Sequence, residues 1–251
     1  MTSVSDDKWV VALIRRRYRR WVPARIRWRI LFFLVGTPVL APVWIRFRPN
    51  LRAHRLDSST VLLISGYPRS ANSYARIAFE VANPEHANHL SSHLHSPWAT
   101  KKAIHLGVPV ILLIRRPLEA VASLVQADPS LPLDAALRLY LRFYRDLFDI
   151  RGDVEVVSFD DAVGDFASVI SRCNSRYGTR FRTRSVREIS DSDLFARVDA
   201  MVSSVHKHDF EFVVSRPSEA RLTPEGVFLN EGPTTRELLG EAEELYTAFL
   251  K

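Results

Sequence analysis

Two short apolar runs, each followed by arginine and then by a helical pattern, constrain this chain more than any other feature. The first covers 60–65 (TVLLIS), apolar and β-branched, and runs into Gly66. The second covers 108–114 (VPVILLI). Uncharged runs of this length, apolar at consecutive positions, read as strands buried on both faces, the habit of parallel sheets. Positions 72–83 then read as a helix, with Ile77, Ala78 and Val81 at helical spacing. Pro117 opens a helix reaching about Gln126, at the turn where proline's missing N–H costs least. Further along, 133–150 reads as a long amphipathic helix, 153–158 as a third strand, and 166–177 and 237–250 as helices. Strands alternating with helices predict an α/β fold, three layers α/β/α around a central parallel sheet. The stretch 180–232 carries no clear pattern.

A chain of 251 residues can bury a core without disulfides or a structural metal. Its one cysteine, Cys173, excludes an internal disulfide framework and a multi-cysteine zinc site. That usage suits a reducing compartment, so a cytoplasmic location is expected. The charge is lopsided. Residues 1–60 hold thirteen basic and three acidic side chains, an excess of +10, whereas 61–251 carry −3. A body of that charge argues against wrapping nucleic acid. The chain therefore divides into a basic and apolar appendage, 1–57, and a body, 58–251. Within the appendage the uncharged run 30–45 (ILFFLVGTPVLAPVWI) would make a helix of about 24 Å, short of a hydrocarbon core of about 30 Å. Gly36, Pro38 and Pro42 interrupt it further. Trp21 and Trp28 stand among the preceding arginines, the composition of an interfacial segment. Peripheral attachment to an anionic membrane surface through residues 8–48 is the expectation; packing of the run on the body and a true span are the alternatives.

Between the first strand and its helix lies Gly66-Tyr-Pro-Arg-Ser-Ala-Asn-Ser-Tyr74. A loop in that place turns backbone N–H groups towards one point at a helix N-terminus, where the dipole favours an anion. Arg69 adds a cation, and Ser70 and Ser73 add hydroxyls. No GxxxxGK[ST] is present, so this is not a Walker A loop. The loop resembles the 5′-phosphosulfate loop of sulfotransferases that use 3′-phosphoadenosine 5′-phosphosulfate (PAPS), commonly YPKSGTTW or YPRSGNSW. That resemblance implies the P-loop NTPase-like sulfotransferase fold, with PAPS as co-substrate and no metal. It puts Arg69 on the transferred sulfuryl and its bridging oxygen, and Ser70, Ala71, Asn72, Ser73 and Tyr74 around the 5′-phosphate. Ala71 stands where the family usually has glycine, so a left-handed backbone there costs about 1 kcal/mol.

After the second strand comes Arg115-Arg-Pro-Leu-Glu-Ala-Val-Ala-Ser123. An arginine at a strand's carboxyl end and a hydroxyl on the next helix can converge on one anion. The same family carries such an Arg and Ser eight residues apart, and they bind the 3′-phosphate of PAPS. The resemblance implies that role for Arg115 and Ser123, with Arg116 the competing arginine. It extends over about 60–180, where Phe159 replaces the family's usual Tyr and either stacks on adenine or packs in the core. The remaining cofactor contact is left to Arg216, Arg221 or Arg236.

Five of eight histidines fall within 86–105. Transfer to a hydroxyl needs a base near neutrality, which suits histidine. In the animal cytosolic members the base histidine precedes the 3′-phosphate arginine by 22 residues, and His93 stands 22 before Arg115. His95 is the alternative. A metal site in HxxHxxxHxH lacks strong ligand spacing. The expected function is transfer of a sulfuryl group from PAPS to a hydroxyl or amine acceptor: a small molecule, glycolipid or saccharide. Two alternatives stand beside it: a P-loop small-molecule kinase, or a non-catalytic nucleotide-binding protein held by its basic arm.

Overall fold

The computed structural model describes residues 56–183, 222–229 and 231–251, with a few isolated positions elsewhere. Apart from such positions, the appendage with its 30–45 run, and also Arg216 and Arg221, lie outside the described residues.

Four strands form one parallel sheet: β1 (Leu62–Gly66), β2 (Leu90–Ser92), β3 (Val110–Ile114) and β4 (Glu155–Ser158), in the order β2-β1-β3-β4. Among the described residues the helices are α1 (Asn72–Ala82), α2 (Pro97–His105), α3 (Pro117–Ala127), α4 (Leu133–Arg145), α5 (Phe159–Gly164), α6 (Phe166–Tyr177), α7 (Pro224–Phe228) and α8 (Pro233–Phe249). Successive strand residues point to opposite faces, and here both faces are covered. Leu63, Val110, Leu112 and Ile114 pack with α2, α3, α4 and α8. Leu62, Ile64, Ile111, Leu113 and Val157 pack with α1, α5 and α6. Two covered faces explain why the strands read as continuous apolar runs rather than alternating ones.

Differences from the sequence expectation are local. β2 is a three-residue strand, Leu-Ser-Ser, without the apolar run that marks the others. It exists because β1 offers an edge: Leu62 to Ile64 pair in register with Leu90 to Ser92. The helices α2, α5 and α7 lie where the sequence pattern marked none. The long helix expected over 133–150 ends at Arg145 and gives way to a 3₁₀ segment, Phe148–Asp153. The last helix starts at Pro233, four residues before the expected start.

The chain leaves β1 through α1 for β2 on one side, then returns through α2 to β3 and runs through α3 and α4 to β4 on the other. Movement in the first direction uses one face of the sheet and movement in the second uses the opposite face. All crossovers thus share one hand, as parallel sheets require. The loops after β1 and β3 consequently part from each other between adjacent strands. Such a switch point opens a crevice at the strands' carboxyl ends. Among the described residues, no helix is long and apolar enough to cross a membrane.

Candidate functional site

The first loop begins at Gly66. A Cβ built there would stand 2.8 Å from the Leu113 carbonyl oxygen and 3.2 Å from Asn72 Oδ1. Only glycine lets β1, β3 and the Asn72 side chain meet this closely. Asn72 Nδ2 donates to the Tyr67 carbonyl at 2.9 Å, folding the loop back on itself. Arg69 and Ala71 both lie in the left-handed region, at φ 71° and 67°. Alanine at 71 therefore bears the strain that glycine would avoid. Left-handed residues on both sides of Ser70 turn loop N–H groups towards a common concavity. At the loop's end α1 starts with neither a side-chain cap nor an acidic residue in its first turn. The positive end of its dipole is thus uncompensated by a capping or acidic side chain, where an anion would lie. Inside the loop, Ser70 Oγ is buried with no hydrogen bond inside 3.5 Å among the described residues, the Tyr144 hydroxyl being close by, and Asn72 Oδ1 likewise makes none. Asn72 Oδ1 only accepts and cannot serve an anion, whereas the Ser70 hydroxyl can donate to one.

The second loop meets the first. Arg69 Nε donates to Ser123 Oγ at 2.9 Å, across 54 residues of sequence. Arg115 Nη1 donates to the Arg69 carbonyl at 3.2 Å, and its Nε donates to Glu119 Oε2 at 3.0 Å. Arg69, Arg115 and Ser123 are thereby one cluster. Arg116 is exposed and sits at the N-cap of α3. The Arg115 guanidinium carbon lies 3.9 Å from the centroid of Phe159. One face of that ring is therefore covered by arginine, which limits the adenine-stacking role the sequence suggested. Tyr74 OH donates to the Val163 carbonyl at 3.1 Å, tying α1 to α5. Arg236 is exposed in the first turn of α8.

Three tyrosines escaped the sequence reading. Tyr140 OH donates to the Arg115 carbonyl at 2.7 Å. Tyr144 OH donates to the Leu113 carbonyl at 2.8 Å and accepts from Tyr67 N at 3.4 Å. Tyr67 OH donates to the Ala136 carbonyl at 3.1 Å. The three phenols hold the backbones of both loops against α4. Burial pushes the pKa of each well above the ordinary phenol value, so they remain donors. The available signal was tyrosine at i, i+4 on a helix face otherwise rich in leucine, which reads equally well as core.

His93 and His95 follow β2 and therefore stand at the sheet's carboxyl edge, beside the first loop. His93 Nε2 lies 3.0 Å from Ser73 Oγ, and its Nδ1 lies 2.9 Å from Ser92 Oγ. His95 Nδ1 lies 2.8 Å from the Gly66 carbonyl oxygen. Loss of solvent lowers the His95 pKa below its ordinary 6.5, against the opposing pull of the Gly66 carbonyl. Both residues have positive φ, 58° and 46°. Left-handed backbone costs a non-glycine residue roughly 1–2 kcal/mol, so this edge holds strain in a two-histidine turn. Among the described residues, no group of three or more His, Cys, Asp or Glu side chains is placed to hold a metal ion. Compared with protein-family models, curated proteins and solved structures, the chain matches none.

Proposed function

We propose that this protein is a PAPS-dependent sulfotransferase of the P-loop-like kind, moving a sulfuryl group from PAPS to a hydroxyl or amine acceptor. The observation that carries this is the joining of two anion-binding loops at one switch point, through Arg69, Ser123 and Arg115. PAPS bears anions at its two ends, and the residues fit both. The N–H groups of 70–74 and the buried Ser70 hydroxyl receive the 5′-phosphate. Arg115 and Ser123 receive the 3′-phosphate. Arg115 is paired with Glu119, but their side chains are 21% and 33% exposed. The pair is thus only part-buried, and a phosphate can compete with the carboxylate for the guanidinium. Arg69 neutralises charge that grows on the bridging oxygen as sulfur leaves it. An imidazole of the 93–95 turn takes the acceptor proton. No step of this scheme calls for a metal.

The appendage suggests where acceptors are met. If residues 8–48 hold the protein at an anionic bilayer, glycolipid or lipid-linked saccharide acceptors are favoured over free small molecules. The test is full-length protein with sulfur-labelled PAPS and a crude acceptor extract, alongside calorimetric titration with the product nucleotide, PAP. Binding of PAP together with labelled product is expected. PAP binding without turnover makes the protein a non-catalytic nucleotide binder. Phosphoryl transfer from Mg-ATP instead would make it a kinase, though the Walker lysine is missing.

A further inference from the structure

We propose a division of labour within the two-histidine turn: Nε2 of His95 takes the acceptor's proton, and His93 is a positioning residue that holds Ser73. The assignment rests on the sulfuryl-transfer function above and reverses the one implied by sequence spacing.

A base needs a ring nitrogen whose lone pair is uncommitted. His93 has none. Its two ring nitrogens lie 3.0 Å from Ser73 Oγ and 2.9 Å from Ser92 Oγ. A hydroxyl both donates and accepts, so either tautomer of His93 places its lone pair on a neighbouring serine. His95 differs in one chemical respect. Its Nδ1 faces the Gly66 carbonyl at 2.8 Å, and a carbonyl only accepts. Nδ1 must carry the proton, which leaves the lone pair on Nε2. That nitrogen has no hydrogen-bond partner among the described residues. Loss of solvent lowers the ring's pKa, which keeps it neutral and able to accept at pH 7. Once Nε2 is protonated, the Gly66 carbonyl steadies the imidazolium from the far side, as a third group does in hydrolase triads.

Placement agrees with chemistry. Gly66 ends β1 and opens the loop that carries Arg69, so the carbonyl that orients His95 belongs to the anion loop itself. Ser73, held by His93, lies in the first turn of α1. The two rings stand edge to face with centroids 5.9 Å apart. In the reaction the acceptor oxygen bonds to sulfur while its proton passes to Nε2 of His95. The bond from sulfur to the bridging phosphate oxygen breaks, and its electron pair leaves with PAP beside Arg69.

The deciding measurement does not need turnover. In the long-range ¹H–¹⁵N spectrum of the labelled full-length protein at pH 7.5, assigned with His93→Gln and His95→Gln, His95 shows a protonated Nδ1 and a pyridine-like Nε2. Diethyl pyrocarbonate, followed by peptide mass spectrometry, labels His95 ahead of His93, and PAP slows that labelling. A proton on Nε2, a charged His95 at that pH, or faster labelling of His93 overturns the assignment. With labelled PAPS, His95→Gln lowers kcat about 10²–10⁴-fold while PAP affinity holds. His93→Ala weakens PAP binding about fivefold, the scale of one lost hydrogen bond, and His93→Gln restores most of it. A larger kcat loss at His93 than at His95 also overturns the division. Wild-type protein that binds no PAP would instead sink sulfuryl transfer, whatever the tautomer.

Discussion

Gly66 shows how narrow the tolerances of the crevice are. Any side chain there meets the Leu113 carbonyl oxygen at 2.8 Å and Leu113 Cβ at 3.0 Å, both on a neighbouring buried strand that cannot yield cheaply. Gly66→Ala should cost about 1–3 kcal/mol, read as a lower urea midpoint with unchanged slope. The two arginines separate by role. Arg69→Ala should abolish sulfuryl transfer yet keep PAP affinity, because Arg115 binds the backbone carbonyl of residue 69, which alanine retains. Arg115→Ala should weaken PAP by about 2–5 kcal/mol. Unchanged PAP affinity would pass the ligand role to Arg116. His95 adds a pH dependence. Its folded pKa lies below the unfolded 6.5, so as pH falls through 6.5 the unfolded chain takes up the proton first. Stability therefore drops on acidification, down to the folded pKa. Urea midpoints between pH 8 and 5.5 should fall less steeply in His95→Gln than in wild type.

Helix α4 acts on the site without entering it. Its Tyr140 and Tyr144 hold the Arg115 and Leu113 carbonyls, while Tyr67 reaches back to Ala136 on the same helix. The rings also pack on one another, Tyr67 and Tyr140 edge to face with centroids 5.1 Å apart and Tyr140 and Tyr144 tilted at 4.6 Å. Tyr144→Phe keeps the ring and removes only the hydroxyl between Leu113 O and Tyr67 N. Leaving those buried groups unmet should cost about 1–3 kcal/mol in denaturant unfolding. A loss below about 0.5 kcal/mol would mean that the phenol does not brace the loops. β2 has a similar indirect role. Three residues long, it delivers His93 and His95 to the edge beside β1.

At the scale of the whole molecule, both candidate loops lie between Gly66 and Ser123, inside the described body. Leu56 is buried in the core, and Lys102 Nζ donates to its carbonyl at 3.3 Å. A cut after residue 55 spares that contact. Deleting 1–55 should leave a folded domain that still binds PAP, because both loops and the strands that carry them lie beyond residue 56. It should also release the protein from anionic vesicles, since the basic excess goes with it. Vesicle binding by the full chain should weaken as salt rises, at a scale of about 1 kcal/mol per basic residue before screening. Salt-resistant binding would mean that 30–45 inserts as an anchor, and an insoluble truncation would mean that it completes the core.

The sequence by itself determined the layers and the two loops. Val110–Ile114 and its counterpart β1 are apolar at every position but the last two of β1, a local signal that survives because a strand buried on both faces must be so. Pro117 likewise marked the start of α3, because the constraint on proline is local. What only the tertiary structure decided involves partners far apart in sequence. Leu-Ser-Ser is a strand only because β1 lies beside it. Arg69 meets Ser123 only because β1 and β3 are neighbours whose chains part in opposite directions. The tautomer of His95 is fixed by a carbonyl 29 residues away. Spacing along the chain carries no information about which acceptor a ring nitrogen will face, and on that the difference between His93 and His95 depends.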